Sequence, residues 1–485
     1  MPTKKLLSVT NLSKYFSVSG ASLLRRERLY LHANEDITLD IYEGETLGVV
    51  GESGCGKSTL GRVLLQLYPQ TAGETMYYGR TLEDMTPAYV GDTLTRLPKY
   101  RAAYQRALRR VEKLEAQCAE AVGETARASA LSGRLQMARG EVRTALLHMV
   151  RIIGGFFAVE EGEGVTLLYE LYCLNRKRNA LLKRLGTQKQ KVSDAEWKPR
   201  LEALEQSITE KQAQLDAIRA CYADRSEFAE YEAMRDGGID LARLRPSEMR
   251  SLRRELQIVF QDPYSSLDPR LTVGQIIEEG VITHGVYRRG SAELRQHVAD
   301  TVEKCGLQNY MLSRYPHQFS GGQRQRISIA RALAVRPRFV VCDECVSALD
   351  VSIQSQIINL LQDLKEKEKL TYLFISHDLS VVRYLSDRIC VMYLGSVVEL
   401  GDAQRVFEHP LHPYTEALLS SIPTTDADGA KKKRILLEGS IPSPIHPPSG
   451  CRFRTRCYMA CDKCRREPPS LREIEQGHWA ACHFR

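Results

Sequence analysis

Gly51-Glu52-Ser53-Gly54-Cys55-Gly56-Lys57-Ser58-Thr59 constrains this chain more than any other stretch. It matches G-x-x-x-x-G-K-[ST], with Gly51, Gly56, Lys57 and Ser58 at the fixed positions. The short apolar run Thr46–Val50 before it reads as a buried parallel strand. Leu60, Val63, Leu64 and Leu67 after it recur at helical spacing. Strand, glycine loop and helix in that order form a phosphate cradle. Glycines let successive backbone N–H groups converge on phosphate oxygens, and the helix N-terminus adds its positive dipole end. Lys57 then reaches the β- and γ-phosphates, and the Ser58 hydroxyl ligates Mg²⁺. The fold expected is α/β.

Composition narrows the class. The 485 residues allow about three domains, and 43% hydrophobic with 26% charged residues is ordinary for a soluble protein. No apolar run is long enough to span a bilayer, and Met1–Ser8 lacks a signal-peptide core, so a cytosolic chain is expected. A net charge of +8 from 68 basic and 60 acidic residues, mostly interspersed, selects neither nucleic acid nor membrane as a partner. Of 13 cysteines, Cys451, Cys457, Cys461, Cys464 and Cys482 crowd the final segment. In a reducing compartment, clustered thiols point to metal rather than disulfides.

Along the chain, Leu7, Val9 and Leu12, then Ile37, Leu39 and Ile41, alternate as antiparallel strands around a loop with Arg25, Arg26 and Arg28. Phe16 either stacks on an adenine ring or joins the core; stacking is the preferred reading. From about residue 98 to 233 the character changes. Four segments with apolar residues stepping by threes and fours, interrupted at Arg178 and Lys211, predict antiparallel helices in a bundle or coiled-coil hairpin. Ala145–Val159, with Phe156 and Phe157, reads as a buried helix end rather than a membrane-contacting stretch. Alternation resumes at Ile239, Leu241 and Leu244, so the helical block interrupts a domain already begun.

The chemistry resumes after the block. Ser320-Gly321-Gly322-Gln323 opens a helix and offers a second anion site. The buried strand Phe339–Cys342 runs into Asp343-Glu344: Asp343 suits Mg²⁺, and Glu344 suits a general base that polarises water. The strand Tyr372–Ile375 ends at His377, an imidazole for the γ-phosphate. Singly, the acidic pair reads equally as a surface turn and His377 as a loop histidine.

In order, the phosphate loop, Gln261, Ser320–Gln323, Asp343-Glu344, Ser347-Ala348-Leu349-Asp350 and His377 resemble the ATP-binding-cassette (ABC) ATPases. That resemblance implies a P-loop domain in two parts, 1–79 and 238–410. The two parts flank a mostly helical insertion, 80–237, and precede a small Cys-rich segment, 411–485. It implies ATP and Mg²⁺, with Gln261 at Mg²⁺ or the attacking water. Ser320, Gly321, Gly322 and Gln323 would reach the ATP of a facing subunit, and Asp350 would touch that subunit. Val259–Arg270, His412-Pro413-Tyr414-Thr415, Ile441–Pro444 and Gly450–Cys457 are similar to the oligopeptide and dipeptide permease ATPases. Partners implied are two transmembrane permease subunits, a paralogous ATPase or a second copy, and an extracytoplasmic solute-binding protein, with the chain peripheral on the cytoplasmic face. Some members of that class carry a [4Fe–4S] cluster on cysteines matching Cys451, Cys457, Cys464 and Cys482. Zn²⁺ is the alternative cofactor, Cys461 the alternative ligand, and plain reduced thiols the third reading. The chain departs from the family at Cys345 and Tyr458, where proline is usual, at the extra Cys461, and in the helical block.

Other readings remain: an importer ATPase for nickel or glycan fragments, a soluble ABC ATPase on nucleic acid, or a scaffold whose helices dock a partner. The helical block's balanced charge and the permease-like tail favour transport without nucleic acid.

Overall fold

The computed structural model describes residues 4–18, 29–120, 125–159, 162–187, 194–422 and 434–485, so Arg25, Arg26 and Arg28 lie outside the described residues. The chain divides into two compact units. One comprises Met1–Leu6, Leu12–Thr71 and Arg250–Arg485; the other comprises Leu7–Asn11 and Ala72–Met249. The chain opens with two long strands, β1 (Lys5–Val18) and β2 (Leu29–Tyr42), which hydrogen-bond to each other, and then β3 (Thr46–Val50). Strand β2 keeps its alternation, with Ile37, Leu39 and Ile41 buried between exposed Asp36 and Thr38. In β1 the alternation gives way, because Leu6, Leu7, Ser8 and Val9 are buried consecutively. A strand covered on both faces no longer needs a polar side.

In the helical unit, β4 (Ala72–Tyr77) pairs antiparallel with β5 (Ile239–Asp240), Tyr77 opposite Ile239 and Met76 opposite Asp240. Strand β5 is two residues long because Leu241–Arg243 already forms a 3₁₀ turn, shorter than alternation through Leu244 suggests. Four long helices, Leu97–Glu120, Thr125–Ile153, Glu163–Thr187 and Asp194–Tyr222, lie on the four periodic segments. They pack in sequential pairs. Leu114, Leu131 and Ala138 are buried in the first pair. In the second pair Lys211, a break in the apolar stripe, reaches Glu170 at 2.8 Å. The Gly154–Phe157 turn buries Phe156 to 1% exposure, edge-on to Phe228 at 5.5 Å. That is a buried helix end, and among the described residues no helix is long and apolar enough to cross a membrane.

A buried polar knot ties the second long helix of this unit to its strands. Thr144 accepts the Gly73 N–H at 3.0 Å, and one turn on, His148 Nε2 lies 3.7 Å from Asp240. Arg151 donates to Glu74 at 3.2 Å and Asp236 at 3.1 Å. Burial pushes Glu74 up to about 7 and Asp240 up to about 6, and holds His148 down to about 3. Ligand atoms of Glu74, His148 and Asp240 all lie within 4.8 Å of one another. The positive charge there is already supplied by guanidinium, since Arg243 donates to the His148 carbonyl at 2.9 Å beside Arg151.

The other unit is built on an eight-stranded sheet. Its remaining strands are β6 (Leu256–Val259), β7 (Phe339–Asp343), β8 (Thr371–Ile375), β9 (Arg388–Tyr393), β10 (Ser396–Asp402), β11 (Arg472–Glu475) and β12 (His478–Ala480). The order is β11-β12-β10-β9-β3-β8-β7-β6, parallel from β9 to β6 and antiparallel beyond. Strands β3, β7, β8 and β9 are buried throughout, as central strands covered on both faces must be. The register sets Val49 and Asp343 each beside Ile375. The three loops that leave β3, β7 and β8 therefore start side by side at the carboxyl edge, where open α/β sheets bind ligands.

Candidate active site

The loop after β3 turns because two of its glycines accept what other residues cannot. Gly56 has φ 99°, and a Cβ there would sit 2.1 Å from the Ala33 carbonyl oxygen. Gly51 would meet the Met392 carbonyl at 2.2 Å. The helix Lys57–Leu64 starts directly after Gly56, whose carbonyl accepts from Asn34 at 3.1 Å. Lys57 is buried, and its ammonium donates to the carbonyls of Gly51 at 2.7 Å and Glu52 at 3.1 Å. Ser53 and Gly54 are exposed at the loop's crown, Thr59 is half-buried, and burial raises the Cys55 thiol above its ordinary value.

Across the sheet edge, the Ser58 hydroxyl donates to Asp343 Oδ1 at 2.5 Å, and Arg62 Nη2 lies 3.3 Å from Oδ2. Asp343 is 1% exposed. Glu344 takes a left-handed φ of 48°, its N–H donating to the Ile375 carbonyl at 3.0 Å, which turns the chain out of β7. Cys345, where proline is usual, is buried just behind it. Gln261 Nε2 donates to Glu344 Oε2 at 2.9 Å, and His377 Nδ1 lies 3.6 Å from the same oxygen. Three sequence-identified residues, Ser58 from a helix and Gln261 and His377 from two loops, thus surround two adjacent carboxylates, with Arg62 beside them. A hydroxyl and a carboxylate at this distance suit a hard divalent cation, and a carboxylate with amide and imidazole neighbours suits water activation.

Other expected site residues stand apart from these contacts. Phe16 is half-buried on β1, edge-on to Tyr68 at 5.5 Å with the Lys14 ammonium 4.7 Å over its ring. Ser320 caps the helix Gly321–Leu333: its hydroxyl accepts from Gln323 N–H at 3.4 Å, and Gln323 Oε1 accepts from Ser320 N–H at 3.1 Å. Gly321 is half-buried and Gly322 buried, so the exposed Ser320 marks an outward-facing helix start. Asp350 is exposed at the N-cap of Val351–Glu368.

Sequence reasoning missed how the C-terminal segment meets the phosphate loop. The Tyr414 hydroxyl accepts the Glu52 N–H at 2.9 Å, and Arg456 donates to both Glu52 carboxylate oxygens at 2.7 and 3.0 Å. Both residues stand in the tail motifs noted above, but nothing in their spacing names Glu52. Fully buried Glu399 accepts from the N–H groups of Leu411 and His412 and pairs with His478 at 2.7 Å, fixing the same segment to β10.

The C-terminal thiols gather in space. Cys451, Cys457 and Cys464 each sit near enough to Cys482 for its charge to oppose their ionisation, and burial pushes Cys451 up to about 11. Cys451 N–H donates to the Cys464 carbonyl at 2.8 Å, and the Cys461 and Cys464 sulfurs are 3.7 Å apart. No three of the five sulfurs lie within 4.8 Å of one another. Tetrahedral zinc with Zn–S bonds of about 2.3 Å draws its four sulfurs to about 3.8 Å. The Cys461–Cys464 pair, at 3.7 Å, has that spacing, and thiolates as a donor set suit zinc and an iron–sulfur cluster alike.

Comparison with known proteins agrees with this geometry. The ABC transporter model matches residues 34–227 and 228–347, and the model of the oligopeptide/dipeptide transporter C-terminal region matches residues 398–464. The oligopeptide transport ATP-binding protein AppF of Bacillus subtilis is 50% identical over 249 residues, 51% of this chain and 75% of its own length. A Brucella ovis protein named for peptide import and ATP binding is 52% identical over 245 residues, 50% of this chain and 76% of its own length. This chain therefore belongs to the ABC transporter family, as an ATP-binding member that carries the oligopeptide/dipeptide transporter C-terminal region.

Proposed function

We propose that this chain is the ATP-hydrolysing subunit of a peptide importer. It works at the cytoplasmic membrane face against two permease subunits, with a second ABC ATPase or another copy of itself and an extracytoplasmic solute receptor. The observation that carries the reading is the Ser58–Asp343 contact of 2.5 Å beside Glu344, in a chain that matches both family models. Ser58 Oγ and Asp343 Oδ1 are the atoms that would hold magnesium, which when bound neutralises phosphate charge. Lys57 and the loop N–H groups from Ser53 to Thr59 grip the phosphates, and Phe16 stacks on the adenine. Glu344 Oε2 takes the proton of the attacking water, with Gln261 and His377 fixing that carboxylate. Ser320, Gly321, Gly322 and Gln323 would close on the nucleotide of a facing subunit, with Asp350 at the contact. In this reading Cys451, Cys457, Cys464 and Cys482 would hold a [4Fe–4S] cluster, with Zn²⁺ the alternative group and Cys461 the alternative ligand. Iron and sulfide assays on single Cys→Ser variants test the cluster.

The activity test uses the complex extracted gently from native membranes. Peptide-stimulated ATP hydrolysis is expected to fall on the order of 10²-fold or more in Glu344→Gln, with ATP binding retained. Co-purification with two multi-span proteins and a solute receptor supports the importer. Full hydrolysis in that variant removes Glu344 from its role, and recovery with nucleic acid alone overturns the transport reading.

A further inference from the structure

Glu52 is the second residue of the phosphate loop, and each of its polar groups is held. Its carbonyl accepts from Lys57 at 3.1 Å, its N–H donates to Tyr414 at 2.9 Å, and its carboxylate receives the Arg456 fork at 2.7 and 3.0 Å. Two of these three holders come from the C-terminal segment, 362 and 404 residues along the chain. The contact is built rather than incidental. Tyr414 is fully buried and the Arg456 side chain is 7% exposed. Phe453, 1% exposed, packs on Tyr393 at 5.2 Å and Tyr414 at 5.4 Å, and the Arg456 guanidinium lies 5.9 Å from the Tyr393 ring. Phe453 and Arg456 both lie on the short loop bounded by Cys451 and Cys457. A force that shifts either cysteine therefore acts on Arg456, which holds Glu52, and on Phe453, which packs on Tyr414.

The phosphate loop works by aiming N–H groups and one ammonium at fixed positions. Glu52 shares its carbonyl with that ammonium, so its orientation sets where Lys57 rests. A planar guanidinium held by two parallel hydrogen bonds fixes orientation as well as distance, which a point charge does not.

We propose that Glu52, Tyr414 and Arg456 couple the C-terminal cysteine segment to the nucleotide site. Tyr414 and Arg456 are positioning residues for the phosphate loop, and the chemical state of Cys457 and the binding of ATP alter each other's free energy. This rests on the reading of Gly51–Thr59 as an ATP site. Such coupling is reciprocal by linkage, so it is measurable from either end.

The experiment uses the full chain, reduced and treated with chelator. Alkylation of Cys451 and Cys457 by iodoacetamide is followed by mass spectrometry with and without Mg-ATP, in wild type and in Arg456→Gln, Arg456→Lys and Tyr414→Phe. ATP is expected to change the Cys457 alkylation rate several-fold in wild type and to leave it unchanged in Arg456→Gln. In the assembled complex, Arg456→Gln is expected to raise KM for ATP about tenfold with kcat little altered, the loss of one charge-assisted contact. Arg456→Lys restores only part, and Glu52→Gln with Arg456→Gln is no worse than either alone. Tyr414→Phe removes only a hydroxyl, so it raises KM in the same direction, by less because the lost hydrogen bond is neutral, even if Arg456→Gln folds poorly. Wild type that binds ATP with unchanged alkylation, or an unchanged KM in Tyr414→Phe and Arg456→Gln, overturns the coupling alone. A wild type that binds no ATP overturns the nucleotide reading and the coupling together.

Discussion

Ser58 and Asp343 are separated by 285 positions in the chain, yet each was identifiable from its own local pattern. A glycine loop and a β-branched strand ending in two carboxylates are short-range signals, because a phosphate site needs particular atoms at particular strand ends. Glu52 carries no such signal; its importance comes from what reaches it. The same holds for Glu74, Asp240 and His148, whose burial only packing creates. Burial holds the Glu74 proton up to about pH 7 against an ordinary 4.5. The sign follows from linkage: the raised folded value favours the fold fully below about pH 4.5, and this contribution fades as pH rises through about 7. Glu74→Gln keeps an acceptor for Arg151 without the ionisation cost. Relative to wild type it is expected to gain stability between pH 5 and 8, by up to about 3 kcal/mol at about 1.4 kcal/mol per unit. Thermal unfolding at both pH values checks this, and a gap that does not widen with pH refutes it.

At the scale of elements, the helices of the inserted block were the most legible part, since an apolar step of threes and fours persists over many turns. Their pairing in sequence order follows from short connections. Strand β5 was the least legible, because a two-residue strand exists only through its partner β4. The same contrast predicts how mutations act. Leu215, on Asp194–Tyr222, is 1% exposed in a cluster with Met149, Ile153, Phe156 and Phe228. Leu215→Ala should cost about 2–5 kcal/mol by leaving a cavity. Hydrogen exchange is expected to report the loss in the helical block, with ATP affinity unchanged. Equal loss of protection in β3 and β7 would show that the two units unfold as one.

For the molecule as a whole, the register Tyr77 opposite Ile239 brings the two ends of the inserted stretch together. Paired residues on antiparallel strands have Cα atoms about 5 Å apart, so a short link can replace everything between them. A chain joining Gly79 to Gly238 is expected to keep ATP binding while losing most of the helical ellipticity of the block; loss of ATP binding would show that the block supports the cassette. The sequence alone determined the phosphate loop, the two carboxylates, the run of long helices and the cysteine-rich end, because each is written in residues close together. Tertiary structure alone decided that Tyr414 and Arg456 hold Glu52, that Arg62 meets Asp343, and that the Cys451 N–H meets the Cys464 carbonyl. Those contacts join residues hundreds of positions apart, and only the parallel sheet order and the packing of its edges bring them within hydrogen-bonding range.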